Sequence, residues 1–234
     1  MMEWFKLIIY FCSMFNNKRI LAAFITIVLI LLVDQIFKIY IKTHYKIGDE
    51  TIIASWFHIH FIENKGMAFG LELEGKMGKL ILSTFRILAS SGIFYFFIYK
   101  PIQQKMHIGF IICMSAIFAG AVGNILDSLY FGLIFNESTP FQLATLFPKD
   151  GGYAPFLYGK VVDMLYFPLF EITVPNWVPI IGGKYFAFFD AIFNIADSAI
   201  TCGVICILLF QAKFFPVKNE NDKLPNTENI DAQL

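Results

Sequence analysis

The sequence predicts an all-α membrane protein of four transmembrane helices, with a small patch of strand and an extended loop on its outer side. Three observations carry this. The 234 residues are 57% hydrophobic and only 15% charged, with 28 phenylalanines, a balance too apolar for a water-exposed domain. Four runs of about 20 residues are long and apolar enough to cross a bilayer. Lysines and arginines gather at alternate ends of those runs, as the positive-inside bias requires. Formal net charge is zero, so nothing in the balance points to nucleic acid.

Residues 1–19 come first. A short apolar stretch after Lys6 resembles an export signal, but no small-residue cleavage site follows. The stretch runs instead into Asn16, Asn17, Lys18 and Arg19, which predicts a retained interfacial amphipathic helix carrying Trp4 and Phe5. The spans fall at 20–41, 80–99, 108–130 and 191–212, within one membrane domain covering 20–212. Lys18 and Arg19 precede the first span, Lys100 and Lys105 occupy the loop between the second and third, and Lys213 and Lys218 follow the fourth. Both termini and the 100–107 loop are therefore expected in the cytoplasm, and 42–79 and 131–190 outside.

In the first outer segment, Phe57, Ile59 and Phe61 alternate with His58 and His60, a period of two that predicts a short strand or hairpin at the membrane surface. The second contains Pro140, Pro148, Pro155, Pro168, Pro175 and Pro179, and is expected to be mostly loop. Its apolar run VVDMLYFPLF can dip toward the membrane, where irregular backbone requires a protein-lined cavity. The polar tail 213–234 is expected to be disordered.

The functional signal lies in polar residues that the bilayer penalises. Asp163 and Asp197 both sit in strongly apolar surroundings, and an aspartate inside a membrane helix costs roughly 2.5 to 3.5 kcal/mol. A pair of such groups suits acid/base chemistry. Asp34, Asp127 and Asp197 all fall toward the outer end of their spans, with Asn64 just outside, although the chain runs through those spans in opposite directions. Asn124 precedes Asp127 by three residues and Asn194 precedes Asp197 by three, so each amide is expected to share a helix face with its carboxylate and to fix its rotamer. Asp34 and Lys38, one turn apart, read as a structural ion pair, and Asp127 as an orienting or packing residue. Ala116, Gly120 and Asn124, with Gly123 beside them, and Ala199 with Gly203, let neighbouring helices approach closely. His44, His58 and His60 lack the further ligands of a zinc site and read as surface residues. Cys12, Cys113, Cys202 and Cys206 read as buried small hydrophobes, implying no disulfide framework. No metal and no cofactor is called for.

A small multi-pass transporter using its carboxylates as a proton relay is the rival class. It predicts polar groups across the whole membrane depth, whereas ILAAFITIVLILL and ITCGVICILLF carry only Ser, Thr and Cys polarity. A one-sided site suits hydrolysis better.

Five motifs, VDQIFK (33–38), ENKGMAFG (63–70), GAVGNILDS (120–128), VVDM (161–164) and FNIADSAIT (193–201), occur in the order seen in lipoprotein signal peptidase, also called signal peptidase II. The resemblance spans about 20 to 212. It implies an intramembrane aspartic endopeptidase of the bacterial inner membrane, monomeric, that removes the signal peptide from a prolipoprotein by cutting before a diacylglyceryl-modified cysteine held in the membrane lipids. The catalytic pair maps onto Asp163 and Asp197. Asp34, Lys38, Asn64, Gly66, Asn124, Asp127 and Asn194 match supporting positions, and 42–79 matches a half-embedded extracytoplasmic β-cradle. Two departures stand out. Ser128 follows Asp127 where the family motif continues with Arg, and residues 133–158 form an outer-loop insertion read as surface elaboration in preference to a lid.

Overall fold

The computed structural model describes residues 17–64, 75–179, 181–188 and 190–216. The expected interfacial helix, Gly66 and most of the tail lie outside the described residues.

Helix α1, Lys18–His44, starts where Asn17 accepts a hydrogen bond from the Arg19 backbone N–H at 3.0 Å. Its apolar side chains Ile25, Leu29, Leu32 and Ile36 point outward, while Asp34, Lys38 and Lys42, spaced by four, are fully buried. That is the amphipathic pattern of a water-soluble helix turned inside out, as a lipid solvent demands. Strands β1, Glu50–Ala54, and β2, Phe57–Asn64, form the expected antiparallel hairpin. Helix α2, Gly75–Ile93, continues through a π-helical stretch and a last turn to Gln103, and α3, Ile108–Leu126, continues through the π-helical Asp127–Phe131 to Ile134. Among the described residues three helices, Lys18–His44, Met77–Gln103 and Ile108–Ile134, are long and apolar enough to cross a membrane. Helix α4, Ile195–Leu209, has 15 residues, and a short α5, Gln211–Phe214, follows.

The proline-rich outer segment is mostly loop, as expected, but three short strands are set into it. It supplies β3, Val161–Tyr166, and the hairpin of β4, Phe170–Thr173, with β5, Tyr185–Phe188, before the two-residue β6, Ile192–Phe193. The main sheet is antiparallel in the order β1-β2-β3-β6, with Ile62 opposite Asp163 and Asn64 opposite Val161. Asp163 therefore stands on a strand, not on a membrane-dipping loop. Val161, Val162, Asp163 and Met164 are all buried, so both faces of β3 are covered, which is why its sequence lacks a period of two.

The prolines bracket these strands without interrupting them, and the insertion at 133–158 belongs to the core they form. Phe135 and Ala144 pack with Ile41, Phe61, Phe131, Val162 and Met164, which corrects the surface-elaboration reading. A second cluster, Ala23, Ile98, Phe110, Ile111, Met114 and Phe214, fills the opposite end of the bundle. Between them the helices touch at small residues. A Cβ at Gly120 would overlap the Ala196 carbonyl oxygen, and one at Gly123 would come within 2.7 Å of Asp34 Oδ2, so α3 closes against the backbone of α4 and a side chain of α1. Cys202, expected inside, lies on the outward face of α4.

Candidate active site

Four elements carry carboxylates to one place: Asp34 on α1, Asp127 at the end of α3, Asp163 on β3 and Asp197 in the first turn of α4. Asp197 is less deep than the expected two turns. The apolar run at 191–193 is spent on β6, and Asn194, extended at φ −121° and ψ −179°, caps α4 by accepting from the Asp197 backbone N–H at 2.9 Å.

In neither Asn-x-x-Asp pair does the amide donate to its own carboxylate. Asn124 Nδ2 donates across to Asp197 Oδ1 at 2.8 Å, and Asn194 Nδ2 donates to Asp163 Oδ1 at 2.7 Å and to Asn124 Oδ1 at 3.1 Å. A capping asparagine has its side-chain oxygen committed to its own helix, which leaves its amide donors free to reach other strands and helices. Asn64 also hydrogen-bonds Asp163. Each acid of the Asp163 and Asp197 pair is thus held by an amide from another element.

Lys38 anchors this network. Its ammonium reaches Asp34 Oδ2 at 2.9 Å, Asp127 Oδ2 at 2.8 Å and Asn124 Oδ1 at 2.9 Å, with no solvent exposure. All three of its donors are used, so Lys38 is more than the helix-end tether expected from its spacing. Because Asn124 Oδ1 faces Lys38 and Asn194, its amide nitrogen must face Asp197. Asp34 Oδ1 accepts from the Ala196 N–H at 2.9 Å at the positive end of α4. Asp127 also accepts from Gln35 Nε2 at 2.8 Å and from the Val162 N–H at 3.4 Å, tying β3 to α3. Ser128, where the family motif has Arg, only donates back to the Asn124 carbonyl at 3.2 Å.

Burial, and then the charge of Asp197, push the Asp163 pKa up to about 7, opposed by Asn194, Lys38 and Asn64. Asp163 is 2% exposed, while Asp197 remains partly open. His58 lies at the surface, where its Nδ1 is 2.5 Å from Glu50 Oε1 across the β1–β2 ladder. Among the described residues no three of His, Cys, Asp and Glu are grouped as metal ligands. Two participants were missed in the sequence, Gln35 and the partly buried Arg86 of α2. Each is a polar residue inside an apolar run, the same signal that singled out the aspartates.

A buried acid within an outer strand is linked through Asn194 and Asn124 to a second acid at a helix start, and Lys38, paired with Asp34 and Asp127, hydrogen-bonds the same Asn124. The signal peptidase II family matches residues 26–213. The chain belongs to that family. It is similar to the lipoprotein signal peptidase of Porphyromonas gingivalis, 46% identical over 200 residues that cover 85% of each chain. The same protein of Amoebophilus asiaticus is 29% identical, covering 93% of this chain and 88% of its own. A solved bacterial membrane enzyme shares the fold at a TM-score of 0.55 and 27% identity, covering 85% of this chain and 92% of its own. This member of the signal peptidase II family is a membrane peptidase that acts on signal peptides, and the transporter reading is set aside.

Proposed function

We propose that the chain is an intramembrane aspartic endopeptidase that removes the signal peptide of diacylglyceryl-modified prolipoproteins by cutting before the lipid-bearing cysteine, with Asp163 and Asp197 as the catalytic pair. The observation that carries this is the amide lattice. Asn124 and Asn194 hydrogen-bond each other while each donates to one of the two acids, so the carboxyls are presented as a unit.

Two carboxyls in a low-dielectric site retain one proton between them. Asp163, the buried member with the raised pKa, holds that proton at rest. Asp197, the partly open member at the start of α4, serves as the base. It draws a proton from a water, which attacks the scissile carbonyl, while Asp163 donates its proton to the carbonyl oxygen. The resulting gem-diol collapses as a proton passes to the leaving nitrogen and the C–N bond breaks. No covalent intermediate forms, and the returning proton restores the pair. Asp34, Lys38, Asp127 and Gln35 hold the frame that fixes both acids, Asn64 hydrogen-bonds Asp163, and Gly66 keeps the supporting role that the family resemblance implies.

Substrate choice follows from burial. A diacylglyceryl chain stays in lipid at roughly 0.8 kcal/mol per CH₂, which sets the depth of the modified cysteine without a side-chain pocket. The reading includes four spans, with α4 as the short fourth, and an active site at the outer leaflet of the bacterial inner membrane. It also has both termini in the cytoplasm and a single chain as the working unit. The test is cleavage of a diacylglyceryl-modified prolipoprotein by the full chain in lipid. Asp163→Asn and Asp197→Asn each lose about 10³-fold or more in rate with unchanged melting behaviour near pH 4, and unmodified prolipoprotein is not cut. Asp127→Asn retains measurable activity. Full activity of either dyad variant overturns the assignment.

A further inference from the structure

Helix α2 brings a charge to this site. Its outward face is apolar, with Met77, Ile81, Phe85 and Leu88 all exposed, while Ser83 and Ser90 are buried. Arg86 lies between those two serines, three residues from one and four from the other, so it shares their inward face. Ser83 Oγ donates to the Leu157 carbonyl at 3.2 Å, two residues before Gly159, whose N–H donates to the Ser128 carbonyl at 2.9 Å. This fastens the inward face of α2 over the end of α3 that carries Asn124 and Asp127. Depth agrees. Arg86, Asp34 and Asn124 each lie roughly ten residues, about 15 Å of helix, from the outer end of their helices. Arg86 Nη1 is sealed from solvent, and the carboxylates whose charges act on the guanidinium are Asp197, Asp163 and Asp127, in that order.

The charged groups around the acid pair are Asp34 and Lys38 of α1, Glu63 of β2, Lys79 and Arg86 of α2, and Asp127 of α3. Glu63 is engaged by Lys42 and Lys160. Lys38 has its three donors taken by Asp34, Asp127 and Asn124. Of the aspartates, Lys79 feels Asp127 but neither member of the pair. Among the described residues, two cations are therefore coupled to the pair: Lys38, whose charge acts on Asp163, and Arg86, on which Asp197 and Asp163 act ahead of Asp127. Ser128 brings none, since it follows Asp127 as a neutral hydroxyl turned back on its own helix.

We propose that Arg86 is a positioning residue of the hydrolysis, its guanidinium favouring one negative charge on the Asp163 and Asp197 pair and so setting the pH range over which the pair shares a single proton. The inference rests on the dyad reading above. A cation near two carboxyls lowers the affinity of both for protons, so neutralising it shifts both arms of the activity profile toward alkaline pH.

The test is the pH dependence of kcat for cleavage of a diacylglyceryl-modified prolipoprotein by the full chain in lipid. Arg86→Gln should move both arms upward by about one pH unit, and Arg86→Lys, which keeps the charge, should restore the parental profile. If Arg86→Gln does not fold, Arg86→His serves. Its imidazole is charged in acid and neutral above about pH 7, so the acid arm stays in place while the alkaline arm moves up. A profile unmoved in Arg86→Gln or Arg86→His, or moved as far in Arg86→Lys, overturns the proposal. The two readings fail separately. Activity in Asp163→Asn removes the dyad, whereas an inactive Asp163→Asn beside an unmoved Arg86→Gln profile removes only the role of Arg86.

Discussion

At Asp163 burial and the charge of Asp197 outweigh the hydrogen bonds from Asn194 and Asn64, and the pKa stands near 7 in the folded protein against 3.8 for an ordinary aspartate. The folded state therefore binds a proton that the unfolded chain releases across that interval, and stability falls as pH rises from about 4 to 7. Asn carries no such charge. Asp163→Asn should match the parent near pH 4 and melt higher above pH 7, by an amount on the order of 2 kcal/mol. Thermal unfolding in detergent at the two pH values checks this, and equal melting shifts at both would show that Asp163 is ionised throughout. The acid itself was legible in VVDMLYF because a carboxylate among apolar residues has no cheap structural use. Its partners were not, since the spacing of Asn194 and Asp197 suggested a local contact and only the extended backbone at Asn194 turns that amide toward β3.

Helix α1, strand β2 and the 133–158 insertion are joined by a second buried ionic cluster. Lys42 pairs with Glu63, both nearly inaccessible, and donates to Ser138 Oγ at 2.7 Å. Ser138 donates to Glu63 at 2.8 Å, and Lys160 spans Glu63 at 3.2 Å and Glu137 at 3.1 Å. Burial pushes the Glu63 carboxyl up, but Lys42, Ser138 and Lys160 hold it below its ordinary value, so its contribution has the opposite pH sign to that of Asp163 and is lost as pH falls below about 4.5. Glu63→Gln leaves Lys42 charged and unpaired, and should lower stability by about 3 kcal/mol, whereas the double variant Lys42→Met, Glu63→Leu should recover most of that loss. Melting temperatures of the two variants decide it, and a double variant no better than the single would show that the pair contributes more than its own neutrality. The first three helices could be read from apolar length alone. Strands β3 and β6 could not, because β3 pairs with β2 about a hundred positions earlier and β6 pairs with β3 across the β4–β5 hairpin, and prolines between them read as loop.

Across the whole molecule, the site's position at one end was readable because Asp34, Asp127 and Asp197 recur toward the same end of spans of alternating direction. The opposite end is basic and aromatic. Arg19 Nε donates to the Met106 carbonyl at 2.8 Å, tying the start of α1 to the 100–107 loop, and Phe214 packs on His107 and Phe110 with ring centroids 5.2 and 6.3 Å apart. Lys18, Arg19, Lys100, Lys105 and Lys213 thus collect at the end away from the aspartates, the end that the proposed orientation, resting on the positive-inside bias, puts in the cytoplasm. Gln104 and Asp150 are exposed at the two ends. In a chain whose four cysteines are replaced by serine, Asp150→Cys should react with a membrane-impermeant maleimide on intact spheroplasts, and Gln104→Cys only after the membrane is opened. Labelling in the reverse order would invert the protein, turn the acid pair toward the cytoplasm, and remove the route by which an exported, lipid-anchored peptide bond reaches Asp197.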